Sequence, residues 1–366
     1  MTVTLPLAPI QESTSIPMKR PTLQTIADLA GVSKMTVSRV LRNHPNCGKE
    51  TAARVKAIAE ELNYKKHPLV SALMADLRYK KEPQFKPIIA LLHYDQPKTN
   101  PHPNSVNMRD GVRESAQMQG YDVDEFYLRD EGMTTKRMMQ IFDTRGIRGI
   151  IFEHPDKPNV TLDVDLSEYA CVAIKYALTH PVLHRIESSQ FASMLLAMEK
   201  LKDYGYQRPG LALPDYAETI SQFRRSSATL FSQQELEEEN RIPILCTDVK
   251  DTSALQNWYK THRPDVILSQ SPQWYNKLLE MGYQIPEDFG FIHLGLSSRT
   301  DHFAGIDPNW EEMGRIAANQ IIDQLNRNEV GIPEHPLVTL VQGDWVDGET
   351  LPRRGEAKCK ELRAQS

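Results

Sequence analysis

TLQTIADLAGVSKMTVSRVLRN, residues 22–43, decides how the rest of the chain is read. Leu23, Ile26, Ala27 and Ala30 recur at the spacing of one helical stripe, so a short amphipathic helix is expected there. Thr22 stands at its N-cap, and Gly31 ends it at a position where positive φ costs little. A second helix restarts at Ser33, a good N-cap, and turns Val37, Val40 and Leu41 inward. Two short helices with facing apolar sides and a tight glycine turn make a helix-turn-helix. The outward row of the second helix is Ser33, Lys34, Met35, Thr36, Ser38, Arg39 and Arg42. It offers hydroxyl and cationic donors for phosphates, a forked guanidinium for guanine and an apolar tip for thymine methyls. These are the requirements of a helix lying in a major groove, so the partner expected is double-stranded DNA. Thr22, Ser33, Lys34, Met35, Thr36, Ser38, Arg39 and Asn43 form the DNA-facing set.

The pattern AxLAGVSxxTVSRVL resembles the start of the lac repressor (LacI/GalR) family, and ELNY at 61–64 continues the resemblance. A third helix from about Lys49 to Asn63, with Val55, Ile58, Ala59 and Leu62 on one face, would close a three-helix core. Residues 65–78, KKHPLVSALMADLR, carry Leu69, Leu73 and Leu77 at four-residue spacing, with Pro68 fit for a first helical turn. So short a helix is marginal alone. The resemblance implies a hinge helix that pairs with its dimer mate and wedges Leu73 into the minor groove. His67-Pro68 and the bulky Met74 depart from the usual hinge.

Charge supports the division. Residues 17–81 hold 13 Lys and Arg against 5 Asp and Glu, while the remainder holds 30 against 43. A basic head on an acidic body suggests that only the head meets polyanion. The 366 residues are 40% hydrophobic and 25% charged, with room for two or three domains. No apolar run reaches membrane-span length, and the N-terminus has no signal-peptide core. The four cysteines (Cys47, Cys171, Cys246, Cys359) form no CxxC pair and read as structural or surface thiols of a cytoplasmic protein.

From residue 86 the pattern alternates strand and helix. Strands are expected at 87–94, 121–128, 147–154, 170–176, 184–188, 208–214, 242–246, 266–269, 289–295 and 337–346. Helices are expected at 105–119, 191–205, 219–240, 252–261, 273–281 and 310–325. This alternation implies α/β architecture with doubly wound parallel sheets, and its length implies two subdomains with a cleft. LxxYGYxRPGLALP (201–214), GYxIPEDFGFIHLG (282–295), AGIDPNWEEMGRIA (304–317) and VQGDWVDGETL (341–351) resemble the periplasmic-binding-protein-like core of the same family. The domains expected are a disordered leader (1–18), the head (19–64), the hinge (65–82), a two-subdomain core for effector binding and dimerisation (83–351) and a polar tail (352–366).

The resemblance implies a small-molecule effector, commonly a sugar or nucleobase, in the cleft. Strand ends and facing loops would line it: Tyr94, Asp95, Glu153, His154, Lys175, Tyr176 and Ser269–Ser271. The family's cleft arginine falls on Arg224 or Arg225, with the register open. Gln270-Ser271 stands where relatives usually carry Asn-Asp, and His293-Leu294-Gly295-Leu296 replaces their Gly-Tyr-Asp-Asp turn. Two carboxylates of a typical sugar site are therefore missing, and the effector is unusual or absent. The sequence has no GxGxxG, P-loop, GxSxG or HExxH, so neither enzyme, cofactor nor metal is expected. The function expected is a homodimeric, sequence-specific DNA-binding transcriptional regulator, a repressor modulated by a metabolite such as a sugar derivative. The alternatives are an effector-independent regulator and a solute-binding protein with the same core fold.

Overall fold

Gly31, at φ +63, turns the chain between two helices whose buried residues meet on one side of the head. These are α1 (Leu23–Ala30) and α2 (Lys34–Val40), and α3 (Lys49–Glu61) closes the bundle. The Oγ of Ser33 accepts the Thr36 backbone N–H at 3.1 Å, which satisfies one of the free amides at the start of α2. Ile26, Ala27, Ala30, Val37, Val40, Val55 and Ala59 form the core, with Ile58 and Leu62 at its margin. The computed structural model describes residues 23–41, 48–62, 86–96, 102–155, 157–300 and 302–354. The leader, the hinge with Leu73, and the tail beyond Arg354 lie outside the described residues. Contacts divide the chain into two units, 1–83 and 84–366.

The second unit contains two six-stranded sheets. The first lobe carries β1 (Ile88–His93), α4 (Pro103–Met118), β2 (Asp122–Tyr127), α5 (Thr135–Arg145), β3 (Gly149–Phe152), β5 (Ala170–Ile174) and β7 (His184–Ser188). Between them β4 (Val160–Thr161) and β6 (Leu178–His180) pair as a small parallel ribbon. The second lobe carries α6 (Gln190–Asp203), β8 (Pro209–Pro214), α7 (Asp215–Ser221), α8 (Arg224–Gln233), β9 (Leu245–Thr247), α9 (Thr252–His262), β10 (Val266–Ser269), α10 (Pro272–Glu280), β11 (Gly290–His293) and β12 (Ala304–Asp307). The chain then returns to the first lobe for α11 (Trp310–Arg327) and β13 (Val338–Val341), and ends in the second with β14 (Asp344–Val346).

Strand order is β2-β1-β3-β5-β7-β13 in the first sheet and β9-β8-β10-β11-β12-β14 in the second. Every pairing is parallel except β12 with β14. The central strands of both sheets are buried on two faces, as their near-continuous apolar runs require. Ile89 and Leu91 face α4 and α11, while Ala90 and Leu92 face the side of Phe142 on α5. In each sheet the order reverses beside the first strand of its lobe, and the carboxyl end of that strand is where an open α/β sheet leaves a crevice.

Four sequence expectations are redrawn. Residues 337–346 form two strands in different sheets, because the chain crosses lobes at Gln342-Gly343. The helix expected over 219–240 breaks after Ser221, where Gln222 and Phe223 are both left-handed. Glu218 spans the break, accepting from the hydroxyls of Ser221 and Ser226. The ninth strand lies three residues later than its expected start, at Leu245. Helix α5 was not anticipated, although Thr134 caps it and Gly146 ends it with left-handed geometry. Pro352–Arg354 also pack on the core: Tyr206 donates to the Pro352 carbonyl at 3.0 Å, and Arg354 pairs with Asp265 at 2.7 Å.

Helices α4 and α11 touch through glycines. A Cβ on Gly314 would lie 1.9 Å from the Met108 carbonyl oxygen, and one on Gly111 equally close to that of Glu311. Backbone cannot yield as a side-chain tip can. Gly314→Ala is therefore expected to destabilise the core by about 1–3 kcal/mol or more, read as a lower urea midpoint with unchanged slope. A midpoint equal to wild type would show that the helices separate freely.

Candidate functional site

The outward face of α2 follows from its inward one. Val37 and Val40 are buried, and Ser33, Lys34 and Arg39 are exposed on the helix that they anchor. Thr36 is half-buried, its hydroxyl 2.9 Å from that of Ser33, so these two side chains brace the N-terminus of α2. Met35 and Ser38 lie on the same helix. Thr22, Asn43 and Leu73 fall outside the described residues. A helix with a capped, solvent-facing N-terminus and the exposed Arg39 in its last turn has the form that phosphate and base-edge contacts need.

The gap between the lobes of the core is lined from both sides. On the first lobe, Lys175 follows β5 in a left-handed conformation at φ +58. Its ammonium lies 4.0 Å from the centre of the Trp310 ring, and burial pushes its pKa down to about 8, Glu187 opposing and Arg225 adding. Trp310, at the start of α11, donates its indole N–H to the Leu296 carbonyl of the second lobe at 3.0 Å. On the second lobe, Arg225 is only 6% exposed and donates to Gln270 Oε1 at 2.6 Å. Burial lowers its pKa to about 10, so it stays cationic at neutral pH. Arg224 reaches across the gap: its guanidinium lies 4.4 Å from the Tyr176 ring and donates to the Tyr176 hydroxyl at 2.9 Å. Asn107 also crosses, donating to the Ser297 carbonyl at 2.9 Å. Ser271 opens α10 and gives its backbone N–H to Ser269 Oγ at 3.1 Å, while the Gln270 carbonyl is 2.9 Å from His293 Nε2. A small cavity of about 10 Å³ lies at the lobe crossing, with Ser188, Gln190 and Arg225 among its lining.

A larger recess, about 60 Å³, opens at the carboxyl ends of β1, β2 and β3. It gathers Tyr94, Asp95 and His154 with His93, Arg109, Tyr127 and Glu153. His154 is half-buried, and loss of solvent holds its imidazole neutral, with Lys175 adding to the effect; among the described residues its Nδ1 has no hydrogen-bond partner. Tyr94 accepts a hydrogen bond from Arg129 at 2.9 Å, with the guanidinium against its ring.

Sequence reasoning missed the ionic knot beneath this recess. Glu125 Oε2 lies 2.6 Å from the Tyr127 hydroxyl, 2.9 Å from Arg109 and 3.2 Å from His93 Nε2, and its other oxygen contacts Arg113. His93 also contacts Glu153 and stacks on Tyr127 at 4.3 Å. The signal was present in DVDEFY, where Glu125 sits mid-strand between residues of inward faces. The His93 contact holds Glu125 well below the usual carboxylate range, Tyr127 and Arg109 adding while burial opposes. For His93, burial works against the proton, but Glu125 and Glu153 outweigh it and the pKa is raised.

These shifts have opposite signs in pH. Glu125 contributes stability above about pH 4.3, its unfolded value, and that contribution is lost as pH falls through its folded pKa. His93 contributes below about pH 6.5, and that share is lost as pH rises through its raised folded value. Glu125→Gln is therefore expected to cost about 3 kcal/mol near pH 6, because it strands buried cations. The deficit against wild type should shrink on acidification below about pH 4, as followed by urea titration over a pH series. A deficit independent of pH would mean that the carboxylate acts by shape alone.

With this geometry in view, similarity to known proteins separates head from core. Residues 22–67 match the family described as bacterial regulatory proteins, lacI family. The head is 56% identical over 45 residues to the HTH-type transcriptional regulator IdnR of Escherichia coli (strain K12). That match covers 12% of this chain and 14% of IdnR's own length. The fold of the chain is similar to that of the transcriptional regulator CelR in its cellobiose complex, with TM-score 0.53 and 16% identity over 90% of this chain and 100% of that one. The lac repressor dimer bound to operator and the anti-inducer ONPF gives TM-score 0.52 and 16% identity over 91% and 100%. CCPA from Weissella paramesenteroides with bound glucose gives 0.51 and 16% over 73% and 99%. Residues 22–67 thus carry the helix-turn-helix of the lacI family, and the fold of the chain as a whole is similar to that of the lac repressor.

Proposed function

We propose that the protein is a sequence-specific DNA-binding transcriptional regulator, acting as a repressor, whose operator affinity is set by a small molecule in the core cleft. The observation that carries the reading is α2: a capped helix with Lys34 and Arg39 exposed opposite buried Val37 and Val40, in a head 56% identical to that of IdnR. In this reading Arg39 forks onto a guanine, and Lys34 and Met35 set preference at neighbouring positions. Ser33, Thr36, Ser38, Thr22 and Asn43 contact backbone and base edges. A homodimer presents two heads to a near-palindromic operator, and paired hinges place Leu73 at its centre.

Cellobiose and glucose in the similar regulators support an effector for this core too. The cleft residues assigned to it are Tyr94, Asp95, His154, Arg224, Arg225, Gln270 and Ser271, with Arg225 as the principal anchor because it is buried at the lobe crossing. Regulation is linkage: an effector that prefers the lobe arrangement incompatible with DNA binding lowers operator affinity by its differential affinity.

Binding of the full-length protein to the upstream region of its own transcription unit, by gel shift and footprinting, tests the reading. Arg39→Ala is expected to cost about 1–3 kcal/mol on the footprinted site and far less on random DNA. Equal losses on both would reduce Arg39 to a phosphate contact, and the lack of any footprint in that region would remove autoregulation from the reading.

A further inference from the structure

Three cations, Lys175, Arg224 and Arg225, stand at the gap between the lobes. Elsewhere in the core several arginines sit on acids, Arg109 on Glu125, Arg145 on Asp124, Arg299 on Asp307 and Arg354 on Asp265, while Arg185, buried like Arg225, is spent on backbone carbonyls. Lys175, Arg224 and Arg225 differ. Among the described residues none of them forms an ion pair: Lys175 rests on an indole, Arg224 on a phenol ring, and Arg225 on an uncharged amide. Glu187 and Glu218 are the carboxylates that act on Lys175 and Arg225 through space. Glu218 is already engaged by Ser221 and Ser226.

Unused acceptors stand beside these cations. Glu187 is fully buried, and its Oε1 takes the Ser188 N–H at 2.8 Å, the Ser188 hydroxyl at 3.0 Å and the Gln190 amide at 3.2 Å. Its Oε2 has no hydrogen-bond partner, and neither has Gln190 Oε1. A buried acceptor left unmade is costly, and so is a buried cation without a counter-charge. One occupant satisfies both: a negative group for the cations and hydroxyls for the acceptors.

We propose that the cleft effector is a polyhydroxylated anion whose carboxylate or phosphate is held between Lys175 and Arg225, with hydroxyls donated to Glu187 and Gln190. The assignment rests on the effector reading above and narrows it to a charged class. Lys175 also accounts for the shape of the site. The left-handed backbone of Lys175 is pinned by Arg185, which donates to the Lys175 and Leu178 carbonyls.

The test uses full-length protein, calorimetry and release from the footprinted DNA, with gluconate, glucose 6-phosphate and glucose as probes. Gluconate or glucose 6-phosphate should bind at least about tenfold more tightly than glucose, as one charge-assisted hydrogen bond implies, and the better of the two tells carboxylate from phosphate. Lys175→Met should erase most of that preference. Wild-type affinity for the anion should also fall as pH rises from 7 to 9.5, because burial sets the Lys175 pKa at about 8, with Glu187, Arg225 and His154 as its charged or titratable neighbours. That profile needs no variant, so it decides the matter if Lys175→Met does not fold. Glucose binding as tightly as the acids, or anion binding indifferent to pH and to Lys175→Met, overturns the anionic assignment and leaves a neutral effector standing. Silence of all three probes in both heat and DNA release overturns the charged class; if cellobiose and adenine are silent too, the effector reading falls with it.

Discussion

The chain passes between the lobes of its core three times, and most of the site follows from that constraint. The crossings lie between Ser188 and Gln190, between Asp307 and Trp310, and at Gln342-Gly343. Each lies at the end of a strand, so each brings polar backbone and the first residues of the next element to the gap. Glu187, Ser188 and Gln190 surround the first crossing, and Trp310 begins the helix after the second. Rotation of the lobes about three short linkers needs only a few residues to change φ and ψ, which is how hinge motions are absorbed in folded proteins. The contacts that span the gap are few and directional: Arg224 on Tyr176, Asn107 on Ser297, Trp310 on Leu296. A ligand that adds or removes such contacts biases the arrangement of whole lobes.

The same constraint explains what the sequence could and could not disclose. The head was legible because its determinants are local: a glycine turn, a serine cap and stripes at helical spacing within forty residues. Core strands were legible where both faces are buried, as in IIALLH or VILS, since the apolar run then marks the strand directly. LVTLVQGDWV read as one strand because nothing in Gln342-Gly343 announces a change of sheet; the partners that separate β13 from β14 are residues 185–188 and 305–307, far away in the chain. The break in the helix expected over 219–240 was equally hidden. Gln222 and Phe223 have no intrinsic taste for left-handed geometry, and Glu218 with its two serines holds them there. Strand ends pointed correctly to Tyr94, Asp95 and His154 as neighbours, but the ionic knot around Glu125 needs four elements to meet and has no spacing of its own.

The departures from the usual family cleft become coherent when charge is followed rather than residue type. Gln270 stands where an acidic pair was expected nearby, and it is the group that Arg225 donates to. The amide orients the arginine, and serine at 271 in place of the usual acid leaves its charge unspent. The body of the protein is acidic overall, yet its cleft collects cations from α8 and the loop after β5. The acidic surroundings attract such cations at long range, yet among the described residues none of the three is given an ion-pair partner, and a binding role gives that a reason.

Burial sharpens the point. A lysine and an arginine taken out of water without ion-pair partners each carry a desolvation cost of several kcal/mol, which indole and amide contacts offset only in part. A core built for stability alone would be better served by apolar side chains of similar volume at positions 175 and 225. Nothing in the strand or helix geometry demands a cation: β5 ends before Lys175, and Arg225 occupies the first turn of α8, where the helix dipole disfavours positive charge. Poor burial, an unfavourable dipole and unused acceptors on Glu187 and Gln190 thus converge on the same few ångströms of the gap. Each is a local violation of the rules that the rest of the fold obeys, and such violations cluster where a protein keeps free energy in reserve for a ligand.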